Sequence, residues 1–139
     1  MEDIREISNR IAMLERQAES LKMNINMLQS HIKELMVAKE TIENIQKSDE
    51  GQEVLFPLGG GSFTYGKLTD NKNVIINIGA NVVVKHNIEN ASALMDSRLT
   101  EMKELLNKTS SSYSEITNAM ANLEQKGREI VQNQQQKKA

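Results

Sequence analysis

A glycine- and lysine-containing run in the middle of the sequence has the residue types of a phosphate-binding loop. Gly61, Gly66 and Lys67 have the spacing at which loop N–H groups and a lysine hold the phosphates of a nucleotide. However, Leu68 stands where such a loop needs a serine or threonine for Mg²⁺. The run is also predicted to lead into a turn and another strand, whereas a phosphate loop opens a helix. Nucleotide binding is therefore not expected.

The other residues that could do chemistry are two isolated histidines. His31 is predicted on the outer face of a helix and His86 at the end of a strand, and neither has a second histidine or a carboxylate at ligand spacing. Cysteine is absent, which excludes disulfides and thiolate metal sites. The acidic residues are spread along predicted helices as i,i+4 partners of basic residues. We expect no enzyme activity, no metal and no cofactor.

Composition points to long helices rather than to a compact globule. Of 139 residues, 3% are aromatic and 26% are charged, and there is a single proline. A net charge of −2 gives no reason to expect binding to nucleic acid. The acidic N-terminus is unlike a signal peptide, and no apolar run is long enough to span a bilayer. The sequence predicts a cytoplasmic protein.

The first third of the chain has the apolar spacing of a coiled coil. Apolar residues recur in alternating steps of three and four through five heptads, the period of a left-handed coiled coil. The stripe then shifts phase near Lys39, and Gly51 is a helix stop. The seam residues are Ile4, Ile7, Ile11, Leu14, Ala18, Leu21, Ile25, Leu28, Ile32 and Leu35.

The last third carries a second seam that matches the first in antiparallel register. When paired positions sum to 134, Ile4 meets Ile130 and Leu35 meets Leu99, and all ten seam positions of the first helix find a seam position in the second. This agreement predicts an intramolecular helical hairpin with both termini at its tip. Gly127 faces Ile7 there, and glycine weakens a helix by about 1 kcal/mol relative to alanine. The tip is therefore expected to fray and expose Ile4, Ile7, Ile130 and Val131.

The segment between the helices is β-type. Residues 54–58 and 63–68 are predicted to form one hairpin around Gly59-Gly60-Gly61, and residues 74–78 and 82–84 a second around Gly79-Ala80-Asn81. The strands are apolar on both faces and too few to close on themselves, so they are expected to pair with other chains. The predicted regions are a helix over 1–50, the hairpins over 51–87, a helix over 88–132 and a disordered polar tail over 133–139. The fold class is α+β, mostly α.

Several central motifs resemble those of prefoldin subunits of the α type. The resemblance lies in residues 55–59, Leu-Phe-Pro-Leu-Gly, in Gly61-Ser62-Phe63, and in the runs 74–79 and 82–86. Two hairpins between the helices are similar to the α class, because β-type subunits carry one. The resemblance extends over the whole chain.

This resemblance implies a hexamer of two α-type and four β-type subunits, whose strands build a platform of β-barrels. The family acts as an ATP-independent chaperone that captures unfolded client proteins at the helical tips and passes them to a group II chaperonin. A structural tether and a filament-forming prefoldin-like subunit are the alternatives. The implied client-binding residues are Ile4, Ile7, Ile11, Met13, Leu123, Ile130 and Val131. The implied assembly residues are Val54, Phe56, Leu58, Phe63, Tyr65, Val74, Ile76, Ile78, Val82 and Val84.

Overall fold

The computed structural model describes residues 3–137 and contains two long helices with two β-hairpins between them in sequence. The predicted mostly helical α+β class is confirmed. By their contacts, the described residues form two compact units: a terminal unit of residues 3–31 and 102–137, and a central unit of residues 32–101. The elements are α1 (Ile4–Lys47), β1 (Glu53–Gly59), β2 (Ser62–Lys67), β3 (Asn73–Gly79), β4 (Val82–Asn87) and α2 (Ile88–Lys137).

In the terminal unit, the beginning of α1 lies against the end of α2 in the register that the seams predict. A Cβ atom built on Gly127 would lie 3.7 Å from Ile7 Cγ2, so these two positions, which sum to 134, face each other. Ile7 and Ala18 are the buried apolar residues of this unit. Both belong to the predicted seam of α1. The heptad pattern therefore identified the packed face of the helix.

In the central unit, the end of α1 packs against the beginning of α2, and two polar contacts mark the pairing. Lys39 Nζ lies 2.6 Å from Asp96 Oδ1, and the Ser92 hydroxyl donates to Glu43 Oε1 at 3.4 Å. The hydrogen bond to Asp96 raises the pKa of Lys39 above its usual value. Ile42 is buried, and it lies one heptad after Leu35. The buried residues of these two helix segments in the central unit are Ile32, Leu35, Ile42, Ile88, Ala91, Met95 and Leu99.

Each β-hairpin turns through two residues with positive φ. These are Gly60 and Gly61 in the first hairpin and Ala80 and Asn81 in the second, as a type I′ turn requires. The run that resembled a phosphate loop is thus the turn and second strand of a hairpin. In both hairpins the strand register shifts just before the turn, at Leu58 and at Ile78. Pro57 lies beside the first of these irregularities, as expected of a residue that cannot donate to the ladder.

The ends of the two helices differ in how well the sequence predicted them. Gly51, with φ +84°, follows the end of α1, and the Asn87 side chain accepts a hydrogen bond from the Asn90 N–H at 2.8 Å at the start of α2. The predicted disordered tail is wrong for residues 133–137, which continue α2 to Lys137. Glutamine and lysine are good helix formers, so a formed helix extends through them without an apolar partner. Residues 138 and 139 lie outside the described residues.

Asp70 organises the turn that connects the two hairpins. Its Oδ1 atom accepts hydrogen bonds from the N–H groups of Lys72 at 2.8 Å and Asn73 at 3.1 Å, and its Oδ2 atom accepts from the Asn73 side chain. The hydrogen bond from Lys72, with those from Asn73, lowers the pKa of Asp70 below its usual value of 3.8. The carboxylate therefore stabilises the turn between β2 and β3 through these hydrogen bonds.

The lowered pKa of Asp70 predicts that this turn loosens in acid. Because the folded pKa lies below the unfolded one, the stabilisation is complete above pH 3.8 and is lost as the pH falls through the folded value. The protection factors of the Lys72 and Asn73 amides, which are the intrinsic exchange rates divided by the rates observed by NMR, should fall as the pH falls over that range. Asp70→Ala should show low protection factors at every pH. Asp70→Asn, which keeps an oxygen acceptor but does not titrate, should remove the pH dependence, and an unchanged profile in Asp70→Asn would contradict this account.

Candidate interaction surfaces

The two hairpins are structural repeats of each other, offset by twenty residues. Their turns and register shifts coincide at this offset. So do two backbone hydrogen bonds: the N–H of Leu68 donates to Gln52 at 2.9 Å, and the N–H of Ile88 donates to Lys72 at 3.0 Å. The sequence signal is an apolar run that ends in glycine at Gly59 and at Gly79. Each chain thus carries two similar two-stranded surfaces.

The first hairpin exposes apolar side chains on both faces. Strand pairing places Leu55 opposite Tyr65 and Pro57 opposite Phe63 on one face, and all four are exposed. On the other face Phe56 covers Gly66, where any Cβ atom would overlap the phenyl ring. This face also carries Val54, which is partly covered. Of the sequence-predicted assembly residues, Phe56, Leu58, Phe63 and Tyr65 are exposed large apolar side chains.

The second hairpin has one covered face and one open face. Ile76 is only 6% exposed, whereas its neighbour Ile75 is 70% exposed. Arg98 of α2 donates to the backbone carbonyl of Asn77 at 2.9 Å and ties the hairpin to that helix. Ile76 is therefore already packed within the single chain, and its role in assembly stays a prediction. Val74 is half-buried on the same face, while Ile78, Val82 and Val84 are exposed.

Three exposed residues were missing from the predicted assembly set. They are Leu55, Ile75 and Val83. Leu55 lies on the face of the first hairpin that carries Phe63 and Tyr65, and Ile75 and Val83 lie on the open face of the second hairpin. Period-two alternation would have placed them together opposite Phe56 and Ile76. Both faces of the strands are apolar in sequence, and this pattern applies to these three positions as much as to the predicted assembly residues.

At the tip, most of the sequence-predicted residues line one groove. Ile4, Ile7 and Ile11 of α1 face Leu123 and Val131 of α2 across it. Met13 lies in a neighbouring groove with Leu14 and Leu123. Ile130 is half-buried and is not among the residues that line either groove.

The expected exposure of the tip needs correction at Ile7. Both helices are regular there, from Ile4 in α1 and to Lys137 in α2. Ile7 is only 2% exposed, and a Cβ atom on Gly127 opposite it would make only an ordinary contact with it. The layer at Ile7 is therefore packed and is not an open end. Ile4, Ile11 and Ile130 are partly exposed and Val131 is exposed.

The tip groove also has a polar rim that the seam analysis did not identify. Ser8 of α1 and Glu124, Arg128 and Gln132 of α2 complete its lining. Arg128 and Glu124 lie one helical turn apart, with 3.9 Å between Nη2 and Oε2.

Within residues 3–137, no helix combines the length and the apolar character needed to cross a bilayer.

The comparisons with known proteins agree with one another. Residues 14–133 match the Prefoldin family, described as prefoldin subunit. A protein named Prefoldin subunit alpha from Pyrococcus horikoshii is 29% identical over 133 residues, which cover 95% of this chain and 90% of that protein. A protein of the same name from Methanosarcina barkeri is 31% identical over 134 residues, which cover 94% of this chain and 93% of that protein.

A solved structure has the same fold. The cryo-EM structure of filamentous PFD from Methanocaldococcus jannaschii is similar with a TM-score of 0.73 and 18% sequence identity, and the match covers 86% of this chain and 98% of that chain. Its likeness concerns the arrangement of helices and hairpins. Together with the family match over most of the sequence, it leads to one conclusion: this chain belongs to the prefoldin subunit family.

Proposed function

We propose that this chain is the α-type subunit of a hetero-oligomeric, ATP-independent chaperone that captures unfolded proteins at its helical tip. The observation that carries the proposal is the location of exposed apolar side chains in an otherwise polar molecule. They concentrate on the β-hairpins, and the groove at residues 4–11 and 123–131 adds the exposed Val131 and the partly exposed Ile4, Ile11 and Leu123. Exposed apolar patches of this kind mark sites of interaction with other proteins.

The hairpins are the proposed assembly surfaces. Each sheet has only two strands, so both strands carry unpaired backbone groups along their outer edges. Isolated two-stranded hairpins are marginally stable in water, and pairing with strands of other chains satisfies these edges and buries the open faces. We propose a hexamer of two such chains with four β-type subunits, joined through shared β-barrels.

The tip groove is the proposed client-binding surface. Unfolded chains differ in sequence, so a general capturing site needs adaptable apolar surface rather than one rigid pocket. Several tips in one assembly raise the affinity for a long unfolded chain through avidity. In this proposal the client passes to a group II chaperonin in the cytoplasm, and no nucleotide or other cofactor takes part.

A filament is the second candidate for the assembly. The repeated hairpins give each chain two similar open surfaces, and such surfaces can join copies of one chain head to tail without closing a ring. The similar structure described as filamentous is a precedent for this arrangement. A structural tether that spaces other proteins and binds no client is the third candidate.

Two measurements test the proposal. Native mass spectrometry of the full chain, alone and mixed with a β-type prefoldin subunit of the same organism, should give a mass of two α and four β chains in the mixture. Light scattering of a chemically denatured protein diluted into buffer without ATP should then show less aggregation when this complex is present. A monomer in both samples would contradict the assembly, open-ended growth would favour the filament, and an intact complex without effect on aggregation would favour the tether.

A further inference from the structure

The groove in the terminal unit is a continuous apolar channel between two antiparallel helices. It has a volume of about 500 Å³, which lies in the range of ligand-binding clefts. Its floor is formed by Ile4, Ile7 and Ile11 from α1 and by Leu123 and Val131 from α2. These residues follow the helix axes for about two turns, or roughly 10 to 12 Å. The groove is therefore elongated along the helix axes and is not a compact pocket.

Two small residues open this channel. Gly127 occupies a seam position on α2 where other layers carry an apolar side chain, and Ser8 stands on the facing wall of α1. A Cβ atom on Gly127 would meet only Ile7, at an ordinary contact distance of 3.7 Å. Space for a Cβ atom is thus available at position 127, but the sequence leaves it unfilled. Glycine is unfavourable in a helix interior, so it weakens the same helix that it opens.

The walls of the groove restrict the backbone conformation of its occupant. Both walls are α-helices, whose backbone N–H and C=O groups are bonded within each helix. An extended segment laid along the apolar floor would find no backbone partners in the walls, so its backbone groups that face the floor would stay unpaired, which is costly. A helical segment satisfies its backbone internally and presents apolar side chains at i, i+3, i+4 and i+7 over two turns. Helix-in-groove recognition has this geometry.

The polar residues on the rim of the groove carry no net charge, so the rim does not select a binding partner by its net charge. Glu124 and Arg128 form a loose and exposed ion pair beside Gly127, and Ser8 and Gln132 are neutral. Such a rim matches the mixed polar flanks of an amphipathic helix. It offers no excess of positive charge that would attract a nucleic acid or an anionic lipid surface.

We propose that the tip groove binds amphipathic helical segments of client proteins, which pack as a third helix with an apolar side chain seated over Gly127. This inference rests on the client-capturing function proposed above and specifies what is captured. It identifies Gly127 as the residue that determines the binding capacity of the groove. Clients with nascent helices are favoured over extended or β-rich ones.

The test uses the full chain and a fluorescent amphipathic peptide with leucines at i, i+3, i+4 and i+7, followed by fluorescence anisotropy. Gly127→Leu fills the groove and should weaken peptide binding by about tenfold or more, since the contacts of one large apolar side chain are lost. Gly127→Ala restores helix propensity without filling the groove. It should raise the melting temperature and leave the affinity within about twofold.

A second pair of variants avoids changing the packed layer at Ile7. Ser8→Glu places a carboxylate on the wall of the groove and should also weaken binding by about tenfold, because an apolar occupant would desolvate that charge. Asn9→Glu adds the same charge to the neighbouring exposed position, which does not line the groove, and should bind the peptide like the unchanged chain.

A peptide in which two central residues are replaced by proline cannot form the helix and should not bind. Equal binding of the two peptides, or wild-type affinity in both Gly127→Leu and Ser8→Glu, would overturn the inference. If the unchanged chain suppresses aggregation but does not bind the helical peptide, this inference fails while the proposed function stands. If it does neither, the proposed function fails as well.

Discussion

Removing residues 1–12 and 124–139 together should abolish the suppression of aggregation while leaving the assembly intact. The deletion removes the three isoleucines of the groove floor on α1, and Gly127 and Val131 on α2. It shortens both helices to nearly the same layer of the antiparallel register, so the seam from Leu14 onwards keeps its partners. The hairpins lie outside the deleted segments. Light scattering should show aggregation as in buffer alone, and native mass spectrometry should show an assembly of trimmed chains with unchanged stoichiometry.

Trimming residues 133–139 alone is the matched control for this deletion. Residues 133–137 are exposed and polar, and they contribute nothing to the lining of the groove. This shorter trimming should leave suppression of aggregation unchanged. If the long deletion also retained full activity, the tip would not be the client-binding surface, and a tethering role would gain support.

Most of the helical architecture could be predicted because two independent patterns in the sequence constrain each other. The heptads of α1 and α2 each predict a helix, and their common register predicts which residues meet. The closeness of Ile7 and Gly127 is the direct outcome. The turn of the first hairpin was equally predictable, since glycine allows the positive φ values that such turns need, and in the second turn Asn81 does the same, although Ala80 also adopts a positive φ. Local geometry of this kind depends on few residues, which the sequence displays directly.

The details that the sequence did not predict depend on competition between similar residues. Ile75 and Ile76 have the same side chain, and only the tertiary placement of the hairpin on α2 decides that Ile76 is buried and Ile75 exposed. The sequence predicts a weak layer at Gly127, yet Ile7 opposite it is only 2% exposed, because the burial of Ile7 depends on the packing of both helices and not on the helix propensity of the residue that faces it. The helical residues 133–137 show the same limit, since their composition is compatible with both a helix and a disordered tail.

Replacing Leu55 and Ile75 with glutamate should dissociate the assembly into single chains whose helices are intact. These residues occupy equivalent positions of the two hairpins and are 57% and 70% exposed, so they contribute little to the packing of one chain. In an assembly that buries the open faces, each large apolar side chain is worth about 1.5–3 kcal/mol, and a carboxylate in its place adds a cost of desolvation. Losing both side chains corresponds to roughly a hundredfold to ten-thousandfold weaker association per interface.

A double substitution on α1 provides the control for this loss. Met23 and Met27 are 60% and 69% exposed, so Met23→Glu with Met27→Glu removes a comparable amount of exposed apolar surface and adds the same charge. Native mass spectrometry should show the full assembly for this variant and single chains for the hairpin variant, with equal helical circular dichroism in both. Leu55→Thr with Ile75→Thr separates the loss of apolar contact from strand propensity, because threonine favours strands, and it should weaken association in the same direction. Dissociation in the methionine variant alone would place the assembly surface on α1 and reverse the roles assigned to the helices and the hairpins.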